Sequence, residues 1–337
     1  MKSRRMLGLV LALVCVGAGT GLLVSRLRAH PPPVSAIVVS ALMQEETVPY
    51  TATASLSMPY QGRMVKSTIS IIHSHDAEKI SRPSKGDGPW SIKDARGSCA
   101  YCPKSNRLVV NRWSSMLTPE ERGRLLLANY DPRYEGSERV AGRDAYVIEL
   151  VPKHQGRASK KIWVDVHSQT VLRSIDRSCD GEERGMEITD IHYTAGADKA
   201  AFTPHPKAGA KTLISCKPAD PTTLDSKVGV HVTLPAYIPS GFKLEGRHLF
   251  TPPCGCCPIC GQLTYTDGLC VISVFQSRPD TKCTSTCCGP KAARPGTYRA
   301  TCCGITGSGR ITRKDKTIVV IADLPPTELR KIAESVK

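Results

Sequence analysis

Aromatic side chains are scarce in this 337-residue chain: 5% of residues, with four Phe and three Trp. That excludes the stacked aromatic platform by which many proteins hold single-stranded nucleic acid. Acidic residues are also short, 30 against 46 Lys and Arg, giving a net charge of +16. The excess favours anionic partners, a bilayer surface among them, without choosing one. Only one long apolar run is present, which excludes a multi-pass membrane protein. GxSxG, HExxH and P-loop motifs are missing, so no familiar hydrolytic, zinc-protease or nucleotide centre is readable. What is there suffices for a packed core: 40% hydrophobic and 23% charged residues, over a length suited to two ordinary domains.

The apolar run is residues 6–24, preceded by Lys2, Arg4 and Arg5 and stopped by Arg26 and Arg28. As a helix, its nineteen residues would reach about 28 Å, close to the ~30 Å hydrocarbon core of a bilayer. A cleaved signal peptide has a shorter apolar core and a small-residue cleavage site. The reading is therefore an uncleaved signal anchor in the cytoplasmic membrane, with the rest of the chain periplasmic or otherwise extracytoplasmic. Charges flank the run almost equally and orient it only weakly. Cysteine supports export. Of fifteen, Cys15 lies in the run and fourteen remain, an even number. Such a density outside the cytosol reads first as disulfides. Residues 30–33, His-Pro-Pro-Pro, read as a stiff spacer.

Charge divides the rest of the chain. Residues 29–208 carry 24 basic and 21 acidic side chains, and residues 209–337 carry 17 and 9. The boundaries read as anchor and spacer 1–33, a first domain 34–208, a linker 209–227 and a second domain 228–337 with a cysteine-rich insertion at 251–304. The first domain reads mostly as strands: 47–58, 64–74, 107–113, 145–152, 160–168, 170–178 and 186–194. One helix starts at Thr118-Pro119-Glu120-Glu121, which offers an N-cap, Pro at the first helical position and Glu at the third. Its Leu125, Leu126 and Leu127 turn inward. Antiparallel strands around one helix suggest a curved sheet enclosing a packed core or an apolar ligand cavity. In the second domain, Pro235 and Pro239 make 228–246 an edge or loop. Residues 262–276 form a hairpin around Asp267-Gly268. Residues 316–324 read as a buried strand, and 325–337 as an amphipathic helix with Leu329, Ile332, Ala333 and Val336 on one face. The fold class is α+β and mainly antiparallel β.

Ten cysteines crowd the insertion: Cys254, Cys256, Cys257, Cys260, Cys270, Cys283, Cys287, Cys288, Cys302 and Cys303. Adjacent pairs on extended backbone point to opposite faces, so each could bond outward to different partners. A disulfide web bracing an insertion with little apolar core is the first reading. Zinc or copper is the alternative, because Cys257-x-x-Cys260 and Cys283-x-x-x-Cys287 have tetrahedral-site spacing; thiol redox chemistry is a third. No resident cofactor is otherwise expected. Cys99-Ala-Tyr-Cys102 is a CxxC without a surrounding βαβ pattern, so a loop-closing disulfide or structural site outweighs an oxidoreductase centre. Nine basic residues, Arg278, Lys282, Lys291, Arg294, Arg299, Arg310, Arg313, Lys314 and Lys316, face only Asp280 and Asp315. They read as a solvated face, or as a site for anionic head groups or an acidic partner segment. Nucleic acid is not expected. His73-Ser-His75-Asp76 has no further ligand cluster and reads as a polar strand end. Asp165 shares a face with Trp163 but has no assigned partner. Trp90, Trp113 and Trp163 could line an apolar cavity, with core packing the default reading.

Several of these segments resemble a known family. VAGRDAYVIELVP, KIWVDVHSQTVLRSIDR and GMEITDIHY, then LPAYIPSGFKL, LTYTDGLCVISVFQ and IVVIADLPPTELRKIAESVK, follow in order the motifs of the sigma-E regulatory proteins RseB and MucB. The resemblance runs over residues 134–337 with gaps. It implies a half-open, LolA/LolB-like β-barrel around a helix, followed by a smaller cysteine-rich α+β domain of the family's C-terminal type. It implies a binding protein and no enzyme: one that senses an envelope lipid or acyl-chain ligand and controls an anti-sigma factor or other membrane signalling protein. A lipid or lipoprotein carrier is the competing class, and a metal-binding or redox protein the third. Residues 6–24 and the cysteine-rich insertion depart from the family pattern.

Overall fold

A computed structural model describes residues 33–43, 48–60, 62–75, 77–83, 88–253, 257–279, 308–312 and 315–337. The first section contains β1 (Tyr50–Tyr60), β2 (Arg63–His73), β3 (Ala77–Ser81), β4 (Trp90–Asp94), β5 (Gly97–Cys102), β6 (Arg107–Arg112), β7 (Tyr130–Val140), β8 (Arg143–Pro152), β9 (Ser159–Asp165), β10 (Val171–Arg177) and β11 (Glu183–Tyr193). Helix α1 (Val34–Met43) precedes them and α2 (Pro119–Asn129) interrupts them. The spatial order is β7-β8-β9-β10-β11-β1-β2-β3-β4-β5-β6, antiparallel throughout. Register shifts at Thr53/Ala54, Tyr134/Gly136 and Val171/Arg173 sharpen the twist. The sheet curls until β7 touches β11 across three intervening strands, but β7 pairs only with β8. The result is a half-open, mainly antiparallel β fold curled around two helices.

Strand alternation puts one set of side chains on each face. From β8 and β9, Ile148, Leu150, Ile162 and Val164 pack under the helices with Leu126 and Tyr130 of the α2 end. On the opposite face Ala145, Val147 and Trp163 join Tyr50, Ala54, Ile69 and Ile188 in a second cluster. Helix α2 starts as its sequence dictates. Thr118 Oγ1 accepts the Glu121 N–H (3.2 Å), and Glu121 Oε2 accepts the Thr118 N–H (2.9 Å). The sequence pattern assigns nothing to residues 34–43, whose β-branched content disfavours a helix. They form α1 because Ile37 and Val38 are buried against α2 and the sheet. The expected single helix is thus a pair.

The second section holds β12 (Lys211–Pro218), α3 (Pro221–Val228), β13 (Lys243–Phe250), β14 (Cys260–Thr266), β15 (Val271–Ser277), β16 (Ser308–Thr312), β17 (Thr317–Ile321) and α4 (Pro326–Ser335). Strand order is β12-β13-β14-β15-β17-β16. The residues read as a linker, 209–227, contain a strand and most of a helix. Strand β12 runs parallel to β6, Lys211 opposite Arg107, so hydrogen bonding continues from one section into the other. Residues 243–246, expected at an edge or in a loop, open β13, a central strand between β12 and β14. Leu263, Ile272, Val274, Ile318 and Val320 form the second core with Leu329, Ile332 and Ala333 of α4.

The β14–β15 hairpin tip is locked into the first section. Asp267 is 1% exposed. Its Oδ2 accepts from Arg157 Nη1 (3.0 Å) and the Tyr130 hydroxyl (3.1 Å), and Oδ1 accepts the Leu269 and Cys270 N–H groups (3.0 and 2.7 Å). Asn129 Nδ2 donates to the carbonyls of Leu125, Gly241 and Asp267 (2.9, 3.0 and 3.0 Å). Arg157 also donates to the Ser240 carbonyl (2.7 Å) and lies 4.3 Å over the Phe242 ring. Gly268, at φ +99°, brings its backbone so near α2 that a Cβ would stand 2.4 Å from Leu126 N. Removing the carboxylate would leave a buried guanidinium unpaired. Asp267→Ala should therefore cost about 3–5 kcal/mol in urea unfolding, and Gly268→Ala at least ~2 kcal/mol from strain and separation of the tip. Losses below ~1 kcal/mol for both would show that the lock is not needed.

Candidate binding site

Helix α3 and the segment after it build an apolar groove. Asp220 Oδ1 accepts the Thr223 N–H (2.9 Å), Pro221 fits the first turn, and Gly229 closes the helix at φ +73°. This places Leu224 and Val228 against Leu249. The chain then turns back through His231 and Leu234 without forming a strand. Side chains replace the missing ladder. Fully buried Gln276 accepts the Thr233 N–H (3.0 Å) and donates to its carbonyl (2.6 Å). Asp225 Oδ1 accepts the Val232 N–H (2.8 Å) and its other oxygen meets His231. These bonds, the backbone one first, hold the Asp225 carboxyl below the usual carboxylate range. Lys316 Nζ donates to the carbonyls of His231 and Lys337 (2.8 Å each). The groove has a volume of about 410 Å³, lined by Pro221, Leu224, Val232, Leu234 and Leu263, with His231 and Arg247 at its margins. That size suits one or two apolar side chains. Leu234 is 52% exposed at the rim. Sequence reasoning missed this site because its walls lie far apart in the chain. The local signal was Asp220-Pro221, the same cap signature as Thr118-Pro119.

A second depression of about 280 Å³ crosses the curled sheet. Trp163 forms its floor, donating from Nε1 to Glu138 (2.8 Å) with Arg173 4.4 Å over its ring. Glu149, Lys161, Arg177 and Glu183 make the walls ionic, and Lys161–Glu135 and Arg177–Glu183 are paired at 2.6 and 2.7 Å. Such a lining does not suit an acyl chain. Trp163 is core on one side, as expected, while Trp90 packs 5.6 Å from Tyr101.

Among the described residues, those singled out by sequence do not assemble into one centre. Cys254, Cys256, Cys283, Cys287, Cys288, Cys302 and Cys303 lie outside the described residues, as do Lys282, Lys291, Arg294, Arg299, Arg313 and Lys314; Arg310 is described only in backbone, on β16. Residues 6–24 also lie outside them, and among the described residues no helix is long and apolar enough to cross a membrane. Lys316 must be removed from the basic surface: it is 4% exposed and held by two carbonyls. Arg278 folds back, its Nε donating to the Gly229 carbonyl (3.3 Å). Cys99 and Cys102 correct the expected loop-closing disulfide. Both stand on β5, three residues apart, so their side chains leave opposite faces and cannot bond to each other. Cys216 and Cys260 both stand opposite Phe250 of β13. That sets them two strand spacings apart, about 9–10 Å, beyond the reach of a disulfide. Cys257 precedes β14 in a bend, and Cys270 ends the locked hairpin tip 3.4 Å from the Tyr130 hydroxyl. Among the described residues, no group of three or more His, Cys, Asp or Glu could hold a metal ion. His73 stacks on Tyr50 at 4.9 Å and pairs with Glu78 at 3.7 Å, and His75 is exposed.

Burial pushes the Cys270 thiol up to about 12, with Asp267 adding to it, and lifts Cys179 to about 12 and Cys216 to about 11. Exposed Cys102 is held below its ordinary value by the Ser105 side chain and backbone. Thiolate is the reacting form. In the reduced chain at pH 8, iodoacetamide should label Cys102 first and Cys270 only on unfolding, as read by peptide mass spectrometry. Equal rates at the two would contradict these environments.

Asp165 has structural partners. Fully buried, it pairs with Arg143 and accepts the His167 and Ser168 N–H groups at 2.8 and 3.0 Å. Burial raises its pKa, but the Arg143 hydrogen bond and the two N–H groups outweigh burial and set it below the usual carboxylate range. A depressed folded value adds stability above the unfolded pKa of about 4, lost as pH falls through the folded value. Asp165→Asn should lower the melting temperature at pH 7 and flatten its fall below about pH 4. An unchanged acid slope would assign that stability elsewhere.

With this geometry in hand, three likenesses fall into place. Residues 102–200 match the MucB/RseB N-terminal domain model. The "Sigma factor AlgU regulatory protein MucB" of Pseudomonas aeruginosa is 29% identical over 147 residues, covering 43% of each chain. The aligned stretch thus spans less than half of that curated relative. Two solved structures, the Pseudomonas aeruginosa MucA/MucB complex and MucB in complex with MucA(peri), superpose with TM-scores of 0.58 and 0.59 at 18% identity. They cover 91% and 90% of this chain, and 99% and 98% of theirs. The chain therefore resembles the RseB/MucB family: residues 102–200 match the model of that family's N-terminal domain, and the fold resembles that of MucB over nine-tenths of the chain.

Proposed function

We propose that this protein acts outside the cytoplasm by binding, occluding the extracytoplasmic segment of a membrane signalling protein of the anti-sigma-factor type. The sequence match of residues 102–200 to the MucB/RseB N-terminal domain carries the reading. The site geometry is compatible with it. An open apolar groove beside a segment held by side-chain hydrogen bonds suits an extended or helical peptide with a few anchoring side chains. Nothing in the reading calls for bond chemistry. The apolar run at 6–24 would tether the protein beside such a partner, merging roles otherwise divided between two chains. An acylated envelope component would act as the releasing signal, engaging a surface other than the ionic depression over Trp163.

The test is a titration of the full chain with the extracytoplasmic segments of its own organism's anti-sigma factors. One should bind one-to-one with a Kd of about 10 μM or tighter and become slower to proteolyse. Leu234→Asp should weaken that binding about tenfold or more, because a buried Leu contributes ~1.5–3 kcal/mol and 1.4 kcal/mol is a factor of ten. Failure of every segment to bind would overturn the reading. Undiminished binding by the Leu234 variant would move the contact off this groove.

A further inference from the structure

The β1–β2 hairpin outruns the sheet that holds it. Strand β1 pairs with β11 only as far as Ser57 opposite Gly185, and β2 pairs with β3 only over Ser70–His73. Beyond those limits Met58, Pro59 and Tyr60 pair with nothing but Val65, Met64 and Arg63 of β2. An isolated two-stranded ribbon is marginal in water, and this one exposes apolar side chains near its end. Tyr60, Met64 and Val65 are 56%, 53% and 43% exposed.

The apolar residues do not form a single docking face. Directly paired residues share a face, and so do residues two apart. One face of the ribbon therefore carries Met58, Tyr60, Val65 and Arg63; the other carries Pro59, Met64 and Lys66. Each face holds apolar groups and one cation. A groove on a protein would cover one face and leave the other in water, whereas a bilayer surrounds an inserted finger on all sides. Charge agrees. Residues 47–75 contain no Asp or Glu, while Arg63 closes the turn opposite Tyr60 and Lys66 stands three residues behind it. Long cationic side chains can lie along apolar surface and reach head groups, and each basic residue near an anionic surface adds to attraction. Tyr is suited to the boundary between head groups and acyl chains.

We propose that this hairpin tip is a membrane finger, with Tyr60, Met64 and Val65 entering the head-group and acyl boundary of an anionic bilayer and Arg63 and Lys66 engaging lipid phosphates. The proposal needs neither the anchor reading of residues 6–24 nor the peptide groove.

The test uses the full chain with Met64→Trp, in vesicles of phosphatidylcholine and phosphatidylglycerol with plain or brominated acyl chains. The parent chain corrects for the three native Trp residues. The added emission should be blue-shifted and quenched by the brominated lipid. Adding Arg63→Glu and Lys66→Glu should abolish the quenching. Ile214→Trp, at an exposed position on β12, five strands on from β2, should remain unquenched. An unquenched Met64→Trp chain would overturn the proposal. So would equal quenching at position 214, which would report mere proximity to the vesicle.

Discussion

The arrangement depends on one buried carboxylate. Asp267 sits at the tip of a hairpin from the second section, and its oxygens are satisfied by Arg157, Tyr130 and two backbone N–H groups. Burying an ion pair this completely is weak evidence for stability in itself, since desolvation offsets much of the attraction. What it provides is position. Misplaced by one residue, the hairpin would leave Arg157 buried without its carboxylate and deprive the Asn129 amide of the Asp267 carbonyl. The lock thus fixes β14, and with it Leu263 on the groove wall, relative to α2 and the curled sheet.

The lock and the apolar groove are connected through few elements. Strand β14 carries Leu263 four residues before Asp267, and β15 carries Gln276, which holds Thr233 in place. The same hairpin therefore anchors one section to the other at its turn and shapes a surface at its far end. The parallel β6–β12 ladder makes a separate main-chain connection. Between them, hinge motion of the two sections would require breaking backbone hydrogen bonds or extracting a buried ion pair.

Local signals were legible and distant ones were not. Thr118-Pro119-Glu120-Glu121 announced α2 because a capping box is written in four consecutive residues. Asp267-Gly268 announced its hairpin, but not that the carboxylate would face Arg157, 110 residues earlier. The sequence pattern assigns nothing to the α1 segment, which becomes a helix because Ile37 and Val38 are buried against α2 and the sheet. Residues 209–227 look like a linker since nothing local reveals a parallel partner in β6. Lys316 was misplaced for a related reason: charge predicts solvent, yet two backbone carbonyls satisfy the ammonium indoors. Of the two readings of the CxxC, only the disulfide between its own cysteines is lost, and the backbone decides it. A strand sends those two side chains apart, where a loop or helix start would have brought them together. The groove was invisible because Leu224, Leu234 and Leu263 meet only after folding.

The order in which strands pair also dictates how long the young chain must wait. Tyr50 of β1 stands opposite Tyr193 of β11, 143 residues later. At about 5–20 residues per second of synthesis, β1 and β2 emerge roughly 7–30 s before their neighbour exists. Throughout that interval the hairpin presents an unpaired edge with Tyr50, Ala52 and Ala54 uncovered, the kind of template on which chains aggregate. A nascent molecule of this design is thus obliged to spend its first seconds under the care of a chaperone, or to remain unpaired until β11 arrives.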